Sequence, residues 1–244
     1  MRPARLAVVL VAHGSKDPRA STSTRALAEA VVRAHPEWEV HDSYLDHAGP
    51  RPLDVLAWLT AAGHRRAVLV PLLLTAAYHG RVDVPAVAAA ARTAGLRIDV
   101  VIADVLGPVS TLLVDGLVRR LPEAGLDAVV LAAAGTRDAA ARATVAEAAA
   151  ALGDRLGVPY EVAYASAAPP TAAMAVSALR AAGASRVGMA AYFLAPGLLY
   201  DVAVESARSA GAVAVAPPLG DAPELVRLVS ARVGSALSRR LVAA

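Results

Sequence analysis

A short apolar strand near the amino end is the feature around which the rest of the chain has to fold. Seven apolar residues, Leu6 to Ala12, run without a charge into His13, Gly14 and Ser15. The run is too short to span a bilayer and too uniformly apolar for a strand with one face in water. It therefore predicts a central strand of a parallel sheet, buried on both faces. Open α/β sheets bind their ligands at the carboxyl ends of such strands, which is where His13 lies.

Strands and helices alternate along the whole chain, which is the pattern of βαβ units. We predict strands at 6–12, 40–45, 67–74, 96–103, 128–133, 162–165, 186–193 and 212–216. We predict helices at 21–34, 51–62, 83–94, 110–121, 139–156, 170–182, 198–210 and 223–241, with a polar loop at 16–19. These elements indicate an α/β fold of two similar, doubly wound lobes of the flavodoxin-like or Rossmann-like kind. Each lobe is expected to hold a parallel four-stranded sheet, over residues 1–122 and 126–244.

The second half of the sequence reads as a degenerate copy of the first. The tripeptide at 61–63, Ala-Ala-Gly, recurs 120 residues later at 181–183, and the segment 12–17 aligns with 133–138. Several such matches in order at a nearly constant offset indicate gene duplication. We therefore expect two related lobes with a cleft between them.

The ionisable residues of the first copy are missing from the second. All six histidines lie at or before residue 79. In the alignment the pairs are His13 with Ala134, His79 with Leu199, and Asp46 with Ser166. The first lobe is thus expected to carry the chemistry, and the second lobe to form the other wall of the cleft.

Composition argues against several other classes of protein. The net charge is only +3, Lys16 is the only lysine and aromatic residues make up 4%, so the basic stripe and stacking aromatics of nucleic-acid binding are missing. The chain has no cysteine, which removes disulfides and thiolate nucleophiles and suits the cytoplasm. No run reaches the length of a membrane span. We predict a cytoplasmic monomer or homodimer that binds neither nucleic acid nor membrane.

Two histidines are expected at one edge of the first sheet. His13 follows the first strand and His79 follows the third, and the carboxyl ends of parallel strands share an edge. Asp46, after the second strand, faces the same edge. Two imidazoles and a carboxylate can bind a divalent ion such as Fe²⁺, Co²⁺, Ni²⁺ or Zn²⁺, and they can also transfer protons near neutral pH. The spacing alone supports the alternative, that the two histidines only cap their strands, equally well. The remaining histidines are expected to be solvated: His35, His41, His47 and His64.

A weaker signal lies in the turn itself. Gly14-Ser15 ahead of a helix is a pattern typical of anion binding. An α/β enzyme that acts on a phosphate compound is therefore an alternative hypothesis. No P-loop, GxGxxG or GxSxG motif accompanies it, so Ser15 is not expected to be a nucleophile. Arg19 and Arg81 flank the edge and are candidates to pair with carboxylates of a ligand.

Three stretches resemble the sirohydrochlorin chelatase family, whose members are class II chelatases related in fold to ferrochelatase. They are Val9–Arg19, Tyr44–Asp46 with a proline after it, and Leu73–His79 with Arg81–Pro85. The resemblance extends over the whole chain in the duplicated, two-lobe form. It implies a lyase that inserts Fe²⁺ or Co²⁺ into sirohydrochlorin, a tetrapyrrole rich in carboxylates, for sirohaem or cobalamin biosynthesis. The metal (Fe²⁺, Co²⁺ or Ni²⁺) would be a substrate, and no organic cofactor is implied.

The same resemblance assigns roles to residues. It implies that His13 and His79 are the catalytic, metal-binding histidines. At the acidic catalytic position the family usually carries Glu, and Asp46 here is one methylene shorter, so its reach to the metal stays open. The implied substrate-binding residues are Gly14, Ser15, Arg19, Tyr78 and Arg81. A non-catalytic carrier of a tetrapyrrole or metal ion, using the same cleft, is the alternative.

Overall fold

The elements follow the predicted order. The structure is a computed structural model, which describes residues 5–75 and 82–242. Its strands are β1 (Leu6–Ala12), β2 (Trp38–Tyr44), β3 (Arg66–Pro71), β4 (Asp99–Ile102), β5 (Ala128–Ala133), β6 (Tyr160–Tyr164), β7 (Val187–Tyr192) and β8 (Ala214–Val215). Its helices are α1 (Pro18–Ala34), α2 (Pro52–Ala61), α3 (Val84–Thr93), α4 (Thr111–Arg120), α5 (Ala139–Leu156), α6 (Ala172–Ala181), α7 (Leu198–Ser209) and α8 (Pro223–Val242).

The strands form two parallel four-stranded sheets of the same topology. Their orders are β2-β1-β3-β4 and β6-β5-β7-β8. The predicted α/β fold with two similar lobes is confirmed. The first and third strands are neighbours, because Ala7 to Val11 pair in register with Ala67 to Pro71. The same five residues of β1 are fully buried, as expected for a central strand covered on both faces.

Two boundaries differ from the prediction at the edge that matters here. The segment predicted as a polar loop contains the start of α1, because the Asp17 side chain accepts the backbone N–H of Arg19 at 2.9 Å and Pro18 takes the first helical position. β3 ends at Pro71, three residues before the predicted end, where its pairing with β1 ends at Val11.

Packing groups the chain into two compact units that differ from the predicted halves. Unit 1 consists of Met1–Leu106 and Leu225–Ala244, and unit 2 of Gly107–Glu224. Most of α8 thus belongs to unit 1, and α4, which lies in the first half of the sequence, belongs to unit 2. The division into 1–122 and 126–244 stays a prediction about the sequence repeats rather than a description of the packing.

Side-chain contacts explain why α8 belongs to unit 1. The Arg232 guanidinium donates to the carbonyl oxygens of Val105 and Leu106 at 2.8 and 3.0 Å. The hydroxyl of Ser230 lies 2.6 Å from Nε2 of His35, which corrects the prediction that this histidine is solvated. Each of these contacts joins positions more than a hundred residues apart in the sequence.

Unit 2 contains two buried or strongly hydrogen-bonded carboxylates. The Glu224 side chain is 2% exposed, and the Nε of Arg119 donates to its two oxygens at 2.8 and 3.0 Å. Asp127 accepts the backbone N–H groups of Ser185 and Arg186, each at 2.8 Å, and these bonds lower the pKa of its carboxyl. The Arg119–Glu224 pair joins α4 to the start of α8, and Asp127 joins the residues that precede β5 and β7.

Candidate active site

The chain after β2 runs beside the end of β1. The backbone N–H of Leu45 donates to the Ala12 carbonyl at 2.9 Å, and that of Asp46 donates to the His13 carbonyl at 2.8 Å. These bonds continue the β1–β2 pairing for two residues past the strands. They place the side chains of His13 and Asp46 at the same edge of the sheet, as predicted.

Gly14 is required for this close approach. Its φ is +95°, and a Cβ built there would lie 1.8 Å from the carbonyl oxygen of Asp46. Any side chain would therefore push the two loops apart, in a backbone conformation that residues other than glycine rarely adopt. Gly14 shapes the site through the backbone of the turn.

Ser15 and Arg19 complete the turn into α1. The hydroxyl of Ser15 accepts the backbone N–H of Asp17 at 3.1 Å, and the carboxylate of Asp17 caps the helix. The Arg19 guanidinium donates to that carboxylate, with its Nε 3.1 Å from each oxygen, and this bond lowers the pKa of Asp17. The helix N-terminus therefore already holds an anionic group, which disfavours a phosphate site at Gly14-Ser15.

Asp46 is held as an exposed, ionised carboxylate. Its Oδ1 accepts the backbone N–H of His47 at 2.8 Å, its Oδ2 lies 3.5 Å from Nε2 of the same residue, and Arg51 lies 3.5 Å from Oδ1. The backbone hydrogen bond from His47, followed by the charges of His47 and Arg51, lowers the pKa of the Asp46 carboxyl. The guanidinium of Arg51 also donates to the Leu45 carbonyl, which ties it to the loop.

His47, predicted to be solvated, is exposed and lies close to His13. The centroid of its ring is 6.2 Å from that of His13, with 45° between the two planes. Its φ is +60°, which is uncommon for a residue other than glycine. Its side chain is 40% exposed, as predicted, and the turn after β2 nevertheless directs its ring towards the end of β1.

The His13 ring has a defined orientation. Its Nδ1 lies 3.1 Å from the carbonyl oxygen of Gly14. Because a carbonyl oxygen only accepts, a hydrogen bond there puts the proton on Nδ1 and the lone pair on Nε2. A backbone partner on one ring nitrogen is the usual way in which proteins orient a histidine that binds through the other.

Unit 1 contains a pocket of about 480 Å³ at this edge of the sheet. The ionisable side chains of His13, Asp46, Arg51 and Asp83 share it with apolar residues of the second and third helices. The remaining lining residues are Leu45, Pro52, Leu53, Ala86, Val87 and Ala90. A pocket with an apolar wall and a few ionisable groups has the character of a small-molecule site.

Three of the predicted site residues lie outside the described residues: Tyr78, His79 and Arg81. The described chain ends at Thr75, after β3, and resumes at Val82, and Asp83 lines the pocket. Over the described residues, no cluster of three or more His, Cys, Asp or Glu is arranged to hold a metal ion. Across the same residues, every helix is too short or too polar to cross a membrane.

Comparison with known proteins gives the family. The model of the CbiX family matches the chain twice, over residues 7–124 and 128–236. The chain belongs to the CbiX family. The two matches also confirm the internal repeat, since each covers one half of the sequence.

Relatives of the chain are chelatases by name. A sirohydrochlorin cobaltochelatase from Methanococcoides burtonii is 21% identical over 81 residues, which are 33% of this chain and 62% of that protein. SirB from Bacillus subtilis with Fe³⁺ superposes with a TM-score of 0.78, at 21% identity and 96% coverage of both chains. The sirohydrochlorin chelatase SirB from B. subtilis subspecies spizizenii, in complex with cobalt, gives a TM-score of 0.76 at 21% identity, covering 96% of this chain and 95% of that one. These two likenesses establish a shared fold.

The two repeats of this CbiX chain share the turn but not its chemistry. Ala167 has a φ of +67° where His47 has +60°, and a Cβ on Gly135 would lie 1.9 Å from the carbonyl oxygen of Ser166, as one on Gly14 would from Asp46. The positions that carry His13, Asp46, His47 and Arg51 in unit 1 carry Ala134, Ser166, Ala167 and Thr171 in unit 2. The loop is therefore stable without ionisable side chains.

The offset between the two repeats is not constant along the chain. Equivalent backbone bonds at the end of α2 and α6, His64 to Leu59 and Ala184 to Leu179, are 120 residues apart, as predicted. At the ends of α3 and α7 the equivalent donors are Leu96 and Ala212, only 116 residues apart. The second copy is therefore four residues shorter between these points. His79 lies outside the described residues, so its pairing with Leu199 stays a prediction.

The sequence patterns assign no site role to Arg51 and Asp83, which line the pocket, or to His47, whose ring lies near that of His13. The sequence places His47 near the end of an element and next to Asp46, and it marks Arg51 only as the start of a helix. A signal was present for both, because their counterparts in the second repeat are Ala167 and Thr171. Extending the comparison of the repeats beyond the predicted site would have found these differences.

Proposed function

We propose that this CbiX-family chain is a sirohydrochlorin chelatase, a lyase that inserts Fe²⁺ or Co²⁺ into the tetrapyrrole. The observation that carries the proposal is the junction of β1 and β2, which holds His13 beside the ionised Asp46 in one pocket. The proposed metal ligands and proton acceptors are His13 and His79. Sirohaem and cobalamin biosynthesis are the pathways that such a product would serve, and the lack of cysteine suits the reducing cytoplasm.

The chemistry requires a group that binds a metal ion and gives it up again. Insertion adds a divalent cation to the ring and releases the pyrrole protons, so neutral imidazoles serve both to hold the ion and to accept protons. Nδ1 of His13 donates a hydrogen bond to the Gly14 carbonyl, so Nε2 is the nitrogen whose lone pair can bind the metal ion. The nearby carboxylate of Asp46, whose pKa is lowered below its ordinary value mainly by the backbone hydrogen bond from His47, favours a cation in the pocket.

The place of His79 is supported by topology. β3 lies directly beside β1, so the chain that leaves β3 starts at the edge where His13 lies. Asp83, four residues after His79 in the sequence, lines the pocket. Tyr78, Arg81, Ser15 and Arg19 are proposed to contact the carboxylates of the tetrapyrrole.

The test is anaerobic absorbance of sirohydrochlorin mixed with Fe²⁺ or Co²⁺. Wild type should convert the spectrum with many turnovers per chain, whereas His13→Ala and His79→Ala should be slower by at least about 100-fold. His41→Ala is a matched control, because that imidazole lies on β2 away from the pocket, beside Glu39. Wild-type rates in the double variant His13→Ala/His79→Ala would remove both residues from the mechanism.

A carrier of the tetrapyrrole or metal is the second candidate. It would bind ring and ion in the same pocket but leave the rate of metallation at that of the free compounds. The same assay separates the two, because turnover beyond one ring per chain is incompatible with a carrier. Parallel runs with Fe²⁺, Co²⁺ and Ni²⁺ compare the metals, and light scattering tests the expected monomer or homodimer.

A further inference from the structure

We propose that His47 is a further metal-binding residue of this site, a nitrogen donor that binds the incoming ion together with His13. The inference rests on the proposed function, because that function is the reason for a metal ion to enter the pocket. What it adds concerns only the binding of that ion. Neither the resemblance nor the sequence repeats assigned a role to this residue.

The distance between the two imidazoles fits a shared ion. Metal–nitrogen bonds to imidazole are about 2.0–2.1 Å, and the ring centre lies roughly 1.1 Å behind the nitrogen. Two imidazoles on one ion therefore have centroids about 4.5–6.4 Å apart, and the longest separations belong to nearly opposite positions on the ion. The centroids of His13 and His47 are 6.2 Å apart. The side chain of His47 is 40% exposed, so an ion from solvent can reach it.

The fold does not account for an imidazole at this position. His47 has a φ of +60°, and Ala167 keeps almost the same conformation, +67°, at the equivalent place in unit 2. The bond that closes the turn is also the same, from Ala48 to Asp46 at 2.7 Å and from Ala168 to Ser166 at 2.8 Å. Because alanine suffices for the turn, the imidazole of His47 is explained by what it binds.

Asp46 gains a role in this arrangement. Its Oδ2 lies 3.5 Å from Nε2 of His47, within the range of an ion pair but longer than a good hydrogen bond. Carboxylates commonly stand behind a metal-binding histidine on the nitrogen that does not bind, which fixes the ring and makes it a better donor. Asp46 is thus a positioning residue that acts through His47, and a side chain one methylene shorter than Glu needs no reach to the ion.

The resulting site is open rather than closed. Two nitrogens, from His13 and His47, leave further positions on the ion for water and for the ring nitrogens of the substrate. An incomplete set of protein ligands suits an ion that has to be handed on.

The experiment is a titration with Co²⁺ alone, without tetrapyrrole, followed by the visible absorption of the bound ion and by calorimetry. His47→Asn is the informative variant, because asparagine tolerates positive φ and lacks the imidazole. We expect Co²⁺ affinity to fall at least about 10-fold, with a changed visible spectrum. Ala167→Asn, which makes the same exchange on the same turn in unit 2, should leave both unchanged.

A second variant separates ligand from positioning residue. Asp46→Asn should weaken Co²⁺ binding, and Asp46→Asn/His47→Asn should be no weaker than His47→Asn alone, because both changes remove the same interaction. Wild-type affinity and spectrum in His47→Asn would overturn the proposal. Failure of the proposed function gives a different result, namely no metallation of sirohydrochlorin by wild type while the dependence of Co²⁺ binding on His47 persists.

Discussion

Replacing Gly14 by alanine should destroy the site while leaving the fold in place. A Cβ at this position would lie 1.8 Å from the carbonyl oxygen of Asp46, whereas a carbon and a carbonyl oxygen in contact are about 3.3 Å apart. The loop that carries Asp46 and His47 therefore has to move away from His13 by roughly 1.5 Å. Misplacement of a catalytic group by about 1 Å is enough to cost on the order of 100-fold in rate.

The effect of Gly14→Ala on stability can be estimated from the same contacts. A non-glycine residue at a φ of +95° costs about 1–2 kcal/mol. Moving the loop also breaks the 2.8 Å bond from the Asp46 N–H to the His13 carbonyl, which contributes about 1 kcal/mol. The free energy of unfolding should fall by about 2–3 kcal/mol, which for a chain of this size lowers Tm by roughly 5–10 °C.

Gly135→Ala is the matched control for this prediction. Its Cβ would lie 1.9 Å from the carbonyl oxygen of Ser166, at a φ of +98°, so its thermal penalty should be similar. Because unit 2 has no ionisable side chain on this turn, Gly135→Ala should keep metallation and Co²⁺ binding near wild type, measured at a temperature where both variants are folded. Equal loss of metallation in the two variants, or none in Gly14→Ala, would refute the reasoning.

Three further predictions concern charges. Arg119→Met should lower the free energy of unfolding by about 2 kcal/mol in denaturant titrations, since the buried Glu224 carboxylate loses its guanidinium partner; an unchanged midpoint would contradict this. The pKa of Asp127 is lower in the folded protein than its ordinary value of 3.8, so its hydrogen bonds stabilise the fold fully at pH values above 3.8. That stabilisation is lost as the pH falls through the lower pKa of the folded protein. The difference in Tm between wild type and Asp127→Asn should therefore shrink below that pH, and a constant difference would count against it. Arg51→Ala should raise the pKa of Asp46 only part of the way to its ordinary value in an NMR titration, because the backbone bond from His47 is the larger cause.

The order of the elements and the class of the fold could be predicted from the sequence because they depend on local patterns. Uninterrupted apolar runs mark strands that are buried on both faces, and the helical stretches between them impose parallel pairing. The same rules put His13 and Asp46 at one edge, since each follows a strand of the same sheet. For β5 and α5 the predicted bounds, 128–133 and 139–156, agree with the structure at both ends.

Placement that depends on contacts between distant residues was decided by the tertiary structure. The sequence by itself determined two related α/β repeats, with the histidines confined to the first. Only the structure assigned α8 to unit 1, through bonds such as that from Arg232 to Val105, and only the structure brought His47 to His13. The physical reason is the same in both cases, because tertiary packing determines both features. The turn at His47 has a positive φ, and the guanidinium of Arg232 binds a carbonyl 127 positions away in the sequence. Local apolar periodicity encodes neither of them.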